Sequence, residues 1–247
     1  MWFQFPRLDW SRSRSPLRSY GKSGRGMKTG GWPAAVAMFG AIGAVMTPAA
    51  GYLRAAERPI NIVALGDSLT AGYGLPASEA FPVQLQRALA AKGLAVNIAN
   101  AGVSGDTTTG GLSRLDWSVP DGTDAVILEL GANDALRGFD PGIVRRALDL
   151  MLRRLKERKI PVLLCGMVAP PNLGVEYGRA FNSIYPDLAA QYGAILYPFF
   201  LTGVAVDPKL NQRDGLHPTA AGVAVIVDRI LPEVEQLIAH VRMAERP

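Results

Sequence analysis

Apolar positions along the chain fall into two rhythms, short continuous runs and longer stretches of helical period. Ile60–Leu65 is mostly apolar and partly β-branched, and it stops at Gly66. So short a run, bounded by glycine, predicts a buried strand rather than a helix. Pro161–Gly166 repeats the pattern, and Val96–Ile98 and Ala194–Tyr197 are shorter versions of it. Asp124–Leu130 is apolar on both faces, which predicts a central strand of a parallel sheet. Between these runs the period changes. An amphipathic helix is expected from about Ala80 to Lys92, closed by Gly93. A longer one follows Asp140, the expected N-cap, with Pro141 in the first helical position and an end near Lys159. Val175–Gln191 predicts a helix that kinks or breaks at Pro186, and Thr219–Val241 a closing helix interrupted near Pro232. Asn100–Gly111 and Pro198–Leu216 read as loops. Strand and helix alternate at short spacing over residues 57–247. That predicts one domain, a three-layer α/β/α sandwich around a parallel sheet of about five strands.

Composition changes the picture mainly at the amino end. The chain has 247 residues, 49% of them hydrophobic, enough for one such domain with a real core. The net charge of +5 is local: residues 1–56 hold eight Lys and Arg against one acid, and residues 57–247 carry 18 basic and 20 acidic side chains. A nucleic-acid partner needs a basic face on the folded part, and this balance gives none. The leader instead reads as a secretory signal peptide. Arg and Lys precede an uncharged stretch from Thr29 to Leu53 with an apolar heart at Trp32–Met46, and small residues follow at Pro48-Ala49-Ala50. Met27 is a possible true start. No twin-arginine pair is present, which favours the general secretion route to the periplasm or beyond. The alternative is an uncleaved signal anchoring the protein in the inner membrane. No second long apolar run follows, so the domain after the leader is expected to span no membrane. The single cysteine, Cys165, lies in an apolar run and reads as a small buried hydrophobe without a disulfide partner.

Candidate chemistry starts at Ser68, just past the expected carboxyl end of the first strand, where open α/β sheets keep their ligands. Acyl transfer by a serine needs a base, a group that orients the base, and donors for the developing oxyanion. His240, one of two histidines, lies near the end of the closing helix and reads as a surface residue. His217 lies in Asp214-Gly215-Leu216-His217-Pro218 before that helix, and a turn at Gly215 can bring the Asp214 carboxylate to the imidazole. Asn133 follows the central strand, and Gly105 offers an unhindered backbone N–H; with the N–H of Ser68 these are the candidate oxyanion donors. Each residue also has an ordinary structural use, as a capping Asp, a surface His, a turn-forming Asn or a loop Gly. Two distant histidines and one cysteine make no metal-ligand cluster, and no metal or other cofactor is expected. A phosphate-cradling binding module built on Gly66, Gly72 and Gly74 is the reading from another class. Those glycines match neither G-x-G-x-x-G nor a P-loop.

Gly66-Asp67-Ser68-Leu69, the Gly105 loop, Gly131-x-Asn133-Asp134 and Asp214-x-x-His217 resemble the four blocks of the SGNH, or GDSL, hydrolases, in that family's order and spacing. Ser68–Tyr73, Ser104–Thr107, Leu136–Phe139 and Asp214–Pro218 are similar to its bacterial secreted thioesterase, lysophospholipase and arylesterase branch. The resemblance spans about Ile60 to His217. It implies a flavodoxin-like fold, with Ser68 as nucleophile, His217 as base and Asp214 as its orienting carboxylate. Ser68, Gly105 and Asn133 would form the oxyanion hole, and Ala135–Phe139 would border the acyl groove. Ala132 stands where near relatives often have Gly, and residues 1–26 match nothing in the family. The expected substrate is a small-molecule acyl or aryl ester or thioester, the rival within the fold being O-deacetylation of a polysaccharide. The apolar Pro170–Tyr177 loop and Phe199-Phe200 suit such an acyl group, and suit a core or a lid equally well.

Overall fold

The computed structural model describes residues 58–244. The leader expected over residues 1–56 lies outside them. Five strands form one sheet: β1 (Ile60–Gly66), β2 (Val96–Gly102), β3 (Ala125–Glu129), β4 (Val162–Cys165) and β5 (Ile195–Tyr197). Their spatial order is β2-β1-β3-β4-β5, and every pairing is parallel. The chain enters at β1, steps outward to β2, then crosses back to β3. That reversal leaves a crevice at the carboxyl ends of β1 and β3, between the two strands from which the chain departs in opposite directions.

β3 and β4 are buried along their whole length, as strands covered on both faces must be. β2 runs to Gly102, beyond the Val96–Ile98 segment its apolar residues suggest. It is an edge strand with Asn97 and Asn100 exposed, so pairing with β1 extends it without an apolar pattern.

The helices are α1 (Ser68–Ala71), α2 (Phe81–Ala91), α3 (Thr108–Ser113), α4 (Leu115–Ser118), α5 (Ala132–Leu136), α6 (Pro141–Glu157), α7 (Val175–Asn182), α8 (Ile184–Tyr192) and α9 (Ala220–Ala244). α2 and α9 pack on each other and on the sheet, while α3, α6 and α8 build the other helical layer. In α6 the Asp140 carboxylate caps the Gly142 N–H at 2.6 Å, with Pro141 next to it. Val144, Ala147, Leu148, Met151, Leu152 and Leu155 line its buried face, and Arg146, Arg153, Arg154 and Lys156 face water. Each large apolar side chain on that buried face contributes about 1.5–3 kcal/mol.

Two helices depart from the periodicity reading. The segment expected as one helix over Val175–Gln191 is two, parted at Ser183, and Pro186 falls within the first turn of α8, where its missing N–H is tolerated. α9, in contrast, runs unbroken through Pro232. Pro232 is exposed, and so is Asp228, whose carbonyl loses its helical partner. Ile226, Val227 and Ile230 before it and Val234, Leu237, Ile238 and Val241 after it keep one buried stripe. That burial exceeds the roughly 3 kcal/mol a proline costs.

Candidate active site

Gly66 ends β1 and Asp67 caps α1, its Oδ1 accepting the Leu69 N–H at 2.9 Å. Ser68 is thus the first residue of a one-turn helix at the switch point and is 8% exposed. Its hydroxyl donates to Nε2 of His217 at 2.9 Å, and Nδ1–H of that ring donates to Oδ2 of Asp214 at 2.7 Å. The other oxygen of Asp214 accepts the backbone N–H groups of Leu216 at 2.9 Å and His217 at 3.0 Å. These donors, with the imidazole, hold the Asp214 carboxyl down at about 2, so it is ionised throughout the neutral range. Gly215 lies at φ +70°, the left-handed geometry this turn requires. Pro218 stands just before the closing helix. It bridges to Asn211, and Thr219 caps α9 by accepting the Gly222 N–H at 3.2 Å.

Asn133 arrives from the neighbouring strand. Gly131 turns the chain at φ +119°, where a Cβ would lie 2.1 Å from the Tyr185 hydroxyl, so only glycine fits. Asn133 Nδ2 donates to Oδ2 of Asp67 at 3.0 Å, which fixes the amide and leaves its second hydrogen for the cleft it lines. Gly105 lies in the turn after β2 at φ +80° and is exposed. Its carbonyl accepts from Arg137 at 3.0 Å, and the turn is fastened beside Ser68 by the Val103 N–H donating to Gly66 O at 3.0 Å. Among the described residues no group accepts the N–H of Ser68 or Gly105. The structure therefore brings Ser68, His217 and Asn133 into the lining of one cleft, with Asp214 behind the imidazole; Gly105 is not among the lining residues.

The cleft has a volume of about 220 Å³. Leu69, Leu136, Met167, Val168, Phe199 and Leu201 give it an apolar wall beside the hydroxyl. Phe200, by contrast, is fully buried and packs edge-on against Phe81 at 5.0 Å, so it belongs to the core. Leu136, Val168 and Leu216 remain about half exposed at the mouth.

A layer of polar groups beneath the site was not anticipated from the sequence. Glu129, the last residue of β3, is fully buried; its Oε2 accepts the Thr70 hydroxyl at 2.7 Å and the Asp67 N–H at 3.3 Å. Burial, reinforced by the neighbouring Asp67, pushes its carboxyl well up, and burial raises Asp67 to about 6. The pair thus resists carrying two charges. Arg114 braces the strand ends. It donates to Gly66 O at 2.9 Å and Ala101 O at 2.8 Å, and pairs with Asp106 at 2.7 Å, one residue past Gly105. Buried Asp134 accepts the Thr108 N–H and hydroxyl at 2.9 and 2.8 Å, tying the Asn133 turn to the Gly105 loop. The one usable signal was Glu129 itself, a lone acid in an otherwise apolar strand.

His240 is an exposed residue of α9 beside a separate cavity of about 230 Å³ at the amino end of the sheet, remote from this cluster. Among the described residues no group of three His, Cys, Asp or Glu could hold a metal, and no helix is long and apolar enough to cross a membrane.

A hydroxyl, an imidazole and a carboxylate in one hydrogen-bonded line, at the switch point of an α/β/α sheet, define a serine hydrolase. The chain belongs to the GDSL-like Lipase/Acylhydrolase family, whose model matches residues 64–225. It is 37% identical to an arylesterase of Vibrio mimicus over 187 residues, covering 75% of this chain and 92% of the relative. It is also 37% identical over 181 residues to the thioesterase 1/protease 1/lysophospholipase L1 of Escherichia coli, covering 73% and 86%. The solved structure of AlinE4, an SGNH-hydrolase family esterase, is 49% identical and superposes with a TM-score of 0.62 over 73% of this chain and 97% of that one.

Proposed function

We propose that the protein hydrolyses carboxylic esters and thioesters through an acyl-enzyme on Ser68. The observation that carries the reading is the 2.9 and 2.7 Å line from Ser68 through His217 to Asp214. His217 Nε2 takes the hydroxyl proton as Ser68 Oγ attacks the acyl carbon, and returns it to the leaving alcohol or thiol. Asp214 holds the ring in the tautomer with Nδ1–H and balances the imidazolium. The N–H of Ser68, the N–H of Gly105 and the amide of Asn133 receive the oxyanion. Water, activated by the same imidazole, then releases the acid. The apolar wall of the cleft suits an acyl chain or an aryl group better than a sugar. The relative named a thioesterase supports extending the substrate class to thioesters.

The test is turnover of p-nitrophenyl acetate, butyrate and octanoate by the wild type and by Ser68→Ala. Loss of turnover in the variant is expected, with octanoate preferred over acetate; an active Ser68→Ala ends the proposal, and a strict preference for acetyl esters favours the deacetylase reading. We further propose that residues 1–56 contain a cleaved signal peptide and that the enzyme, residues 57–247, works in the periplasm or outside the cell. Amino-terminal sequencing of the protein from cell fractions checks this.

A further inference from the structure

His217 is carried by a segment between β5 and α9 that has no strand or helix of its own beyond the Asn211–Pro218 bridge. Acyl transfer nevertheless requires its ring to stay within hydrogen-bond reach of Ser68. Bonds inside the segment fix its shape. Gly215 N–H donates to Gln212 O at 2.9 Å, Gln212 N–H donates to His217 O at 2.7 Å, and Asn211 Nδ2 donates to Val204 O at 2.6 Å. None of these says where the turn sits relative to the nucleophile.

One side chain does. Gln212 Nε2 donates to the backbone carbonyl of Tyr73 at 2.7 Å and to that of Pro218 at 2.9 Å. Both acceptors are carbonyls, so the amide orientation is forced and both of its hydrogens are engaged. Tyr73 is in turn bound to the nucleophile's own residue, its N–H donating to Ser68 O at 3.1 Å. The bonds therefore close a ring: Ser68 to Tyr73, Tyr73 to Gln212, Gln212 to His217, and His217 Nε2 back to Ser68 Oγ. The Tyr73 ring packs on the imidazole, centroids 4.5 Å apart. Gly74 makes the space. A Cβ there would stand 2.3 Å from Gln212 Oε1.

We propose that Gln212 is a positioning residue for the reaction, the tie that fastens the Asp214–His217 turn to the chain leaving Ser68. This rests on the assignment of Ser68 and His217 above. Gln212 touches no reacting atom and acts through the imidazole. Gln212→Glu keeps the shape and sets a carboxylate against two carbonyls. Gln212→Met keeps the length, removes the donors and leaves an apolar chain that still packs on Gly74.

The experiment measures kcat and KM for p-nitrophenyl butyrate, with thermal unfolding, for the full chain and both variants. The expected result is a fall in kcat of about 10- to 100-fold with KM changed by less than about threefold, because the cleft is intact and only the base is misplaced. Gln212→Met carries the test should the carboxylate variant fail to fold. The same substitution in a His217→Ala background should cost nothing further, since the group it positions is gone. Wild-type kcat in Gln212→Met, an equal fall in the His217→Ala background, or a loss of folding in both single variants overturns the proposal. A Ser68→Ala enzyme that retains activity would instead overturn the assignment on which it rests, so the two failures are distinguishable.

Discussion

Glu129→Gln probes the acid buried beneath the site, and its effect has a sign and a size. Glu129 is 0% exposed, and an ionised carboxylate there would forfeit several kcal/mol of solvation. Burial, with Asp67 alongside, holds the group neutral well above its ordinary value of 4.5. Folding therefore takes up a proton wherever the unfolded carboxyl is ionised and the pH lies below the raised folded value. With a raised folded-state pKa the contribution is fully present below the unfolded value and is lost as pH rises through the folded one. Above pH 5 the unfolded chain has lost this proton and the native state keeps it, so stability falls by up to about 1.36 kcal/mol per pH unit. The comparison runs from about pH 5.5 to 7.5, above the unfolded value, and the loss accumulates for as long as the native state still holds the proton. Glutamine presents one oxygen to Thr70 and the Asp67 N–H and has no proton to lose, so this slope disappears. Asp67, raised to about 6 and in contact with Glu129, titrates in both proteins, so the sign is read from the difference between the two profiles. The assay is urea unfolding of both proteins at several pH values, extrapolated to water. Glu129→Gln should gain on the wild type as pH rises, with kcat near the wild-type value. Parallel stability profiles over that range would refute the neutral acid.

Three other outcomes follow from the same geometry. Asn133→Ala should lower kcat by about 10²–10³ with little change in KM, measured on p-nitrophenyl esters, since one oxyanion donor is removed. Gly66→Ala should fold poorly or not at all, seen as lost soluble yield and lowered Tm, because the new Cβ would meet Thr70 Oγ1 at 2.1 Å and the backbone oxygen of Glu129 at 2.7 Å. Cys165 is fully buried and its thiol is pushed well up by that burial, so a disulfide reagent should label it only as fast as the protein unfolds, and the native enzyme should resist inactivation by it.

The frame of the fold was legible because burial writes itself into the chain. The runs at Ile60 and Asp124 became the two strands flanking the switch point, and Asp140-Pro141 capped α6 as their side chains dictate. The line of Ser68, His217 and Asp214 was legible through local spacing, since three residues and a glycine suffice to bring Asp214 to Nδ1. Pro232 was misread because a helix tolerates an exposed proline when its buried stripe continues on both sides, and periodicity alone does not weigh that stripe. Arg114 and Asp134 were not read as part of the site, for another reason. Their roles depend on partners such as Gly66 O and the Thr108 hydroxyl, which only the folded arrangement of β1, β2 and α5 brings within reach.

The nucleophile and its base are anchored at unequal depths. Ser68 rides on a strand end locked between Arg114 and Glu129, whereas Asp214 and His217 hang from an irregular surface segment secured by a few bonds. Segments of that kind open before the sheet does. Warming or mild denaturant should therefore silence the enzyme while its secondary structure persists, and cooling should restore it.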